Sequence, residues 1–429
     1  MGVIQELLEH VYLPKMVKVR QRFADAALTD VSLAVTDSLC KEEAKIAWPA
    51  PGGEIAVAVG SRGIAEIHRV VKAVVDYLKG KGYRPFIVPT MGSHGGATDE
   101  GQKEVLESLG VSEKFVGAPI RSSMDVVQVG TLKNGLPVYV DRLAMAAAGI
   151  VVINRVKPHT AFRGPYESGI VKMIAIGLGK QRGAESYHKL GFGRMAEHIV
   201  DAAQVAMAKS RILCGVALLE NAYDRPVEVE VLPSTEILAR EPELLLRAKG
   251  YMPRIWVDEA DVLVVDELGK DISGDGMDPN ITGRYPTPYA SGGPSITKIC
   301  VLQLTERTHG NANGLGTTDF TTRRALDAVN FDKTYPNALT STIITPVKIP
   351  MVLENDKFCI QAAVKTANVL RDEDVRVVHI HNTLAMSEIR VSESLLPVLA
   401  KQSDVEVMGA AQPWHFDNSG NLDVRTCWR

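Results

Sequence analysis

Three side chains that can do chemistry fall in one segment of the chain that glycines interrupt. His159 follows Pro158, whose ring fixes the backbone before it, and Lys172 lies between Val171 and an apolar run. His188 comes later in the same segment. Imidazoles exchange protons near neutral pH and bind metals, and a lysine in apolar surroundings becomes nucleophilic. The segment therefore predicts a site for a charged ligand and a metal.

Two further polar loops precede this segment. Ser61 and Arg62 lie between two glycines, where backbone N–H groups, a hydroxyl and a guanidinium together can bind an anion. His94 lies among glycines and serine, and such small neighbours allow a ligand to come close to its imidazole. Taken singly, each loop has a plain alternative: a glycine turn with a surface arginine, and an inert loop histidine.

The elements around these loops predict a parallel sheet. An apolar run at 55–59 precedes the first loop, a second at 85–88 precedes the His94 loop, and a third at 149–153 precedes the His159 loop. Apolar residues at helical spacing from Ile64 to Leu78 follow the first loop, and strands that alternate with helices are typical of parallel sheets. Because ligands bind at the carboxyl ends of parallel strands, we expect the three loops to converge on one edge.

The predicted fold class is α/β with two domains, each a mainly parallel sheet flanked by helices, and with the active site in the interdomain cleft. The length of 429 residues is too great for one ordinary core. Residues 1–255 are predicted to form the cofactor-binding and acid/base domain, and residues 256–429 the domain that contacts the substrate.

Composition narrows the function classes. A net charge of −3 argues against nucleic acid as the main partner. Five scattered cysteines with no C-x-x-C pair fit reduced cytosolic thiols, and no apolar run is long enough to span a membrane. The chain is predicted to be cytoplasmic, with a small molecule as its ligand, and its oligomeric state stays open.

Long polar loops in the second half of the chain are candidates for substrate contacts, since dense polar loops are either functional or flexible. The cations predicted to bind a substrate carboxylate there are Lys270, Arg284 and Lys298.

Together these segments resemble the nickel-pincer lactate racemase superfamily, mainly over residues 55–190. The order and combination of the motifs carry the resemblance, since no single motif is highly specific. The matching residues are Arg62 in the first loop, Gly92-Ser93-His94 in the second, Pro158-His159, the stretch from Gly169 to Lys172, and His188 downstream.

The resemblance implies a role for each of these residues. Lys172 would bond covalently to the thioamide of a pyridinium-3-thioamide-5-thiocarboxylate mononucleotide that carries nickel, and His188 would be the protein ligand of the metal. His94 and His159 would act as acid and base on opposite faces of the substrate while hydride leaves C2 and returns. Ser61 and Arg62 would hold the cofactor, with Arg62 also available to a substrate carboxylate. Cofactor-biosynthesis proteins would be partners.

The chain departs from the lactate racemase pattern in ways that concern the substrate. The acidic residue usual before the arginine is absent, Gly95 and Gly96 stand where a basic residue is expected, and the stretch from His159 to Lys172 is longer. Small residues around His94 leave room for more than lactate. The leading hypothesis is therefore an isomerase, a racemase or epimerase acting at C2 of a larger 2-hydroxy acid, with sugar acids such as aldonates as candidates.

Two other classes remain open from the sequence. One is an enzyme without the pincer, either a sugar-acid dehydratase or a nicotinamide-dependent dehydrogenase, and the lack of a full G-x-G-x-x-G fingerprint counts against the latter. The other is a non-catalytic binding protein of the same fold. The presence of Lys172, His188 and both candidate acid/base histidines weighs against it.

Overall fold

The computed structural model describes residues 2–60, 63–92, 94–423 and 427–428. Contacts divide the chain into two compact units. The first unit is Ala24–Met252, and the second unit combines Met1–Phe23 with Pro253–Arg429.

The strands of the described residues are numbered in chain order. They are β1 (Met16–Gln21), β2 (Glu54–Val59), β3 (Arg84–Pro89), β4 (Val126–Thr131), β5 (Pro137–Asp141), β6 (Gly149–Arg155), β7 (Ile212–Glu220), β8 (Pro226–Pro233), β9 (Glu259–Leu268), β10 (Ser295–Leu304), β11 (Phe320–Thr322), β12 (Met351–Leu353), β13 (Val377–Ile380), β14 (Glu388–Ser392) and β15 (Val405–Val407).

The helices are numbered in the same way, and α7 continues into a π-helical turn at Met173–Gly177. They are α1 (Val3–Leu8), α2 (Val31–Glu42), α3 (Ile67–Gly80), α4 (Asp99–Ser108), α5 (Glu113–Val116), α6 (Arg142–Ala146), α7 (Ile170–Lys172), α8 (Lys180–His188), α9 (Met195–Lys209), α10 (Ile237–Tyr251), α11 (Pro279–Thr282), α12 (Arg323–Asp327), α13 (Phe331–Ser341), α14 (Asp356–Lys365) and α15 (Leu396–Leu399).

The sheet of the first unit has the strand order β3-β2-β6-β7-β8. The pairs from β3 to β7 are parallel, and β8 joins β7 in antiparallel pairing. The inner strands are apolar on both faces because helices cover both sides of a parallel sheet. The antiparallel pair β4–β5 forms a separate two-stranded sheet.

Helix α3 shows why the periodicity predicted it. Its apolar residues Val70, Val71 and Val74 are buried in the same core cluster as Val57 of β2. Helix α4 begins after Thr98, whose side chain accepts the Gly101 N–H and so satisfies one of the free donors at a helix start.

The sheet of the second unit has the order β12-β11-β10-β9-β13-β14-β1-β15. Pairing is parallel from β12 to β13 and antiparallel through β14, β1 and β15. Strand β1 therefore belongs with strands that lie far from it in sequence, although the predicted division at residue 255 places it in the other half. Local periodicity contains no information about such a pairing.

The predicted fold class, α/β with mainly parallel sheets, is confirmed. The sequence also predicts a helix near residues 321–329, and this prediction is wrong because the segment forms the strand β11 followed by the short helix α12. Thr322 accepts the Ala325 N–H at the start of α12, which separates strand from helix where the apolar spacing alone is ambiguous.

Candidate active site

Three loops lie at the carboxyl edge of the sheet in the first unit. Strand β2 pairs in parallel with both β3 and β6, so the loops after these three strands leave the sheet at the same edge. This is the convergence that the sequence predicts, and it brings the loop of His94 and the loop of His159 to one edge.

The loop that carries His159 is built around the buried carboxylate of Glu167. Glu167 Oε2 accepts the backbone N–H of His159 at 2.7 Å and an N–H of the Arg163 guanidinium at 3.1 Å, and Glu167 Oε1 accepts from Lys249 Nζ at 2.7 Å. Backbone pairing of Lys157 with Ser168 closes the loop at its base. The backbone of His159 is therefore fixed by a charge-assisted network.

Two contacts orient the His159 ring. Its Nδ1 accepts the backbone N–H of Ala161 at 3.0 Å, and the ring lies 4.3 Å from the ring of Phe162, centroid to centroid. Because Nδ1 accepts a hydrogen bond, a neutral His159 in this conformation carries its proton on Nε2.

The turn that carries Lys172 is held from two sides. Glu241 Oε2 accepts the Val171 N–H at 2.9 Å, and the Asn154 side chain donates to the Gly169 carbonyl at 3.1 Å. The helix then widens into the π-helical turn Met173–Gly177. Such turns are rare and occur frequently at functional sites.

His188 ends helix α8, close to both Lys172 and His159. Its ring stacks on Phe192 at 5.6 Å with 17° between the planes, and Phe192 also lies 6.2 Å from the His159 ring. Burial lowers the pKa of His188 to about 4, and the positive charge of the nearby Lys172 acts in the same direction. His188 is therefore a neutral imidazole at physiological pH, the form that binds metals.

The His94 loop packs beside helix α8. Gln102 Nε2 donates to the Gly92 carbonyl at 2.9 Å, and a Cβ at Gly92 would lie 3.6 Å from Ala184 Cβ, one turn before His188. The His94 side chain is exposed. The loop thus offers a solvent-facing imidazole beside the helix that carries the candidate metal ligand.

A fully buried lysine connects this loop to the rest of the unit. Lys180 Nζ donates to the Pro89 carbonyl and to Gln102 Oε1 at 3.0 Å, and lies 3.3 Å from the buried carboxylate of Asp141. Burial lowers the pKa of Lys180 and raises the pKa of Asp141, so desolvation outweighs their attraction. Gln102, which holds Gly92, is therefore itself held by Lys180.

Ser61 and Arg62 lie outside the described residues. The glycine before them packs closely, since a Cβ at Gly60 would lie 2.8 Å from Met173 Cε and 3.0 Å from Asn154 Oδ1. The first loop therefore begins against the residue that follows Lys172.

The cations predicted in the second unit do not share an edge. Lys270 follows the carboxyl end of β9, with its Nζ donating to the Gly274 carbonyl at 2.6 Å. Arg284 donates to Asp319 Oδ2 at 3.2 Å and to the Ile296 carbonyl at 3.2 Å, near the amino end of β10. Since β9 and β10 are parallel, these cations lie at opposite ends of the sheet.

Lys298 lies within β10 opposite Val262, also toward the amino end of the strand. Asp319 compensates the charge of Arg284. The predicted substrate contacts Lys270, Arg284 and Lys298 are thus not brought together within the second unit.

Sequence reasoning missed three groups that build the site: Glu167, Glu241 and Lys180. Each of these side chains contacts residues that are distant in sequence or lie outside its own helical turn. No local sequence pattern indicates that a carboxylate will be buried. The one usable signal is a charged residue that directly follows an apolar, glycine-rich stretch, as Lys180 does after Gly177-Leu178-Gly179.

Residues 34–199 match the sequence profile of the lactate racemase N-terminal domain. This segment is similar to that domain, and it spans less than half of the chain. The resemblance predicted from the sequence is confirmed. The matched segment includes the three convergent loops together with His94, His159, Lys172 and His188.

Two solved structures are similar to this chain. The lactate racemase apoprotein from Thermoanaerobacterium thermosaccharolyticum is 12% identical with a TM-score of 0.52, covering 86% of this chain and 99% of that chain. A structural-genomics protein from Thermotoga maritima is 15% identical with a TM-score of 0.48, covering 63% of this chain and 70% of that chain. At such identities the likeness concerns the fold, for which the first structure is the stronger match.

The chain has no match among curated proteins. Within the described residues, no helix combines the length and apolar character needed to cross a membrane.

The buried Glu241 of the first unit predicts a pH dependence. Burial raises its pKa from 4.5 to about 8, so between these values the folded chain keeps a proton that the unfolded chain loses. The native state binds more protons there, and the free energy of unfolding contributed by this group falls as pH rises. Glu241→Gln, which does not ionise, should gain about 3 kcal/mol of stability relative to wild type between pH 5 and pH 8.

Urea unfolding at both pH values measures this difference. Glu243→Gln is the matched control, since Glu243 is exposed on the same helix. Parallel stability curves for wild type and Glu241→Gln would show that Glu241 does not titrate in this range.

Proposed function

We propose that this chain is an isomerase that inverts C2 of a 2-hydroxy acid with a nickel-pincer nucleotide bound covalently at Lys172. The observation that supports this most directly is the position of His188. The nearby charge of Lys172 lowers the pKa of this imidazole, and both His188 and His159 contact Phe192. All of these residues lie in the segment that matches the lactate racemase N-terminal domain.

The donor set of the site fits such a cofactor. Among the residues that the structure describes, no group of three or more histidine, cysteine, aspartate or glutamate side chains could hold a metal by itself. A metal at His188 would therefore take most of its ligands from a non-protein group, and the pincer nucleotide brings two sulfurs and a carbon. His188 supplies the neutral imidazole that completes such a set.

When bound, the nucleotide supplies a hydride acceptor and donor for C2 of the substrate. The amine of Lys172 would carry it as a covalent adduct, and His188 would hold its nickel. The buried network around Lys172 keeps water from the backbone of this turn, and Phe162 and Phe192 shield the His159 side of the site.

Two histidines would handle the hydroxyl proton of the substrate. With its proton on Nε2, His159 can donate a hydrogen bond to the hydroxyl oxygen of the substrate. To accept a proton at Nε2, its ring must give up the contact from the Ala161 N–H. His94, exposed on the neighbouring loop, would serve as the second acid/base group, as inversion requires one on each face.

The substrate is proposed to be larger than lactate. Gly96, two residues after His94, adopts a positive φ and has no atom near the place of a Cβ, which leaves space for a longer carbon chain. A hydroxylated 2-hydroxy acid such as an aldonate fits this space.

The described cysteines are free thiols, which supports a reducing, cytoplasmic location shared with the proteins that build the cofactor.

The test is to co-express the chain with the pincer-cofactor biosynthetic enzymes and to measure intact mass and nickel. Wild type should gain one adduct that maps to the Lys172 peptide, with about one nickel per chain. Lys172→Arg should gain none, and Lys189→Arg, at an exposed lysine beside His188, should load like wild type. Loaded protein is then assayed with a panel of 2-hydroxy acids for inversion at C2.

Two outcomes contradict the proposal. Wild type without adduct or nickel, when a known lactate racemase loads in the same cells, would favour a pincer-free enzyme or a binding protein. Loaded protein that inverts no 2-hydroxy acid in the panel would remove the assigned reaction.

A further inference from the structure

Glu241 lies in helix α10, far along the chain from Lys172, yet its carboxylate reaches the first turn of the lysine's helix. The residue is 1% exposed, and its Oε2 accepts the Val171 N–H at 2.9 Å. The first N–H groups of a helix have no partner within the helix. Glu241 therefore caps helix α7 from a different element.

No local group serves this purpose. The residue before α7 is Gly169, which has no side chain that could cap the helix. Helix α7 has only three residues before the π-helical turn, too few to be stable alone. The position of Lys172 therefore depends on contacts from outside its own helix.

Gly169 is required for space. A Cβ at this position would overlap Glu241 Oε1. The φ of Gly169, −178°, is extended and open to any residue, so its backbone conformation does not demand glycine. Glycine thus admits the carboxylate to the start of the helix, while Asn154 holds the Gly169 carbonyl from the other side at 3.1 Å.

The same helix also supports the second loop of the site. Lys249, two turns after Glu241 in α10, binds Glu167 at 2.7 Å, and Glu167 holds the backbone N–H of His159. Helix α10 thus fixes the turn of Lys172 through one side chain and the loop of His159 through another.

We propose that Glu241 is a positioning residue that sets the place and reactivity of the Lys172 amine. The proposal rests on the proposed function, in which Lys172 is the attachment site. A carboxylate with no role beyond capping would affect folding but not the chemistry of Lys172 in folded chains.

The first experiment needs no cofactor. Trace labelling of the purified apoprotein with acetic anhydride, followed by peptide mass spectrometry, gives the reactivity of Lys172 relative to the exposed Lys189 in the same molecules. Loss of the cap should free the turn, so Glu241→Leu should raise this ratio about threefold. Glu241→Gln, which keeps an acceptor oxygen, should stay near wild type, as should the exposed control Glu243→Leu.

The second experiment measures adduct per folded chain after co-expression with the cofactor enzymes. The amount of adduct in Glu241→Leu should fall about tenfold, because a displaced Lys172 amine is poorly positioned to react with the cofactor. Glu241→Gln should load like wild type. If Glu241→Leu does not fold, Gly169→Ala displaces the same carboxylate and takes its place.

The outcomes separate this proposal from the proposed function. A folded Glu241→Leu chain with the wild-type labelling ratio and wild-type loading would overturn the positioning role. Wild type without adduct would count against the attachment at Lys172, and the labelling ratio would still decide whether Glu241 controls that lysine.

Discussion

The His188→Ala variant, loaded in cells, is expected to keep the Lys172 adduct and to lose its nickel about 100-fold. Under the proposed function, the attachment is made through an amine that the substitution does not touch. The metal would lose the imidazole of His188, which burial holds neutral with a pKa of about 4, and the described residues provide no three-ligand group to replace it. Intact mass and nickel analysis on the same sample measure both quantities.

His198→Ala is the control for the loss of a buried histidine. His198 lies in α9, is 2% exposed and contacts Asn134 at 3.0 Å. It should load adduct and nickel like wild type in every folded molecule. Full nickel in His188→Ala would remove His188 as the ligand, and loss of both nickel and adduct would show that His188 supports the attachment itself.

The Lys180→Met variant is expected to lose about 3–5 kcal/mol of stability. Its removal leaves the Asp141 carboxylate buried without its cation, and Gln102 and the Pro89 carbonyl each lose a donor. An uncompensated buried charge costs far more than the ion pair contributes. Urea unfolding of the purified chain measures the change.

A double variant separates charge from packing. Lys180→Met with Asp141→Leu removes both charges, so it should recover at least half of the lost stability. Lys189→Met, at an exposed position, should change stability by about 0.5 kcal/mol or less. If Lys180→Met costs no more than Lys189→Met, the pair is not a buried ion pair in solution.

The first unit was predictable where the signal is local. The strand at 55–59 and the helix that follows it appear as β2 and α3 because one period of apolar residues covers each element. The pairing of β1 with β14 and β15 could not be predicted, because it joins residues at opposite ends of the chain. Strand register between distant segments is set by packing, and no local pattern records it.

The residues of the candidate site also differ in whether the sequence alone could predict them. His159, Lys172 and His188 could be selected because they lie close together in sequence. In the structure both histidine rings contact Phe192, and Lys172 lies near His188. Glu167 and Glu241, which hold these residues in place, could not be selected from the sequence. Their partners are backbone N–H groups, and the sequence does not indicate which backbone groups a carboxylate will contact.

The guesses in the second unit had only polarity to support them. The side chains of a polar loop can bind a ligand, or they can form hydrogen bonds with other parts of the fold. Arg284 does the latter, since it donates to Asp319 and to backbone carbonyls. Its charge is therefore already matched within the fold. Polarity alone does not distinguish a ligand-binding loop from one that is satisfied within the fold. Position at the carboxyl end of a parallel strand favours the ligand-binding case.

The lack of a three-ligand cluster among the described residues also bears on metal traffic in a cell. Copper binds most nitrogen and oxygen sites more tightly than nickel does, so a ready-made chelating site would fill with the wrong ion. Under the proposed function, the metal ligand that this chain supplies is the single imidazole of His188, and one imidazole binds a free ion weakly. The choice of nickel would then pass to the proteins that build the nucleotide.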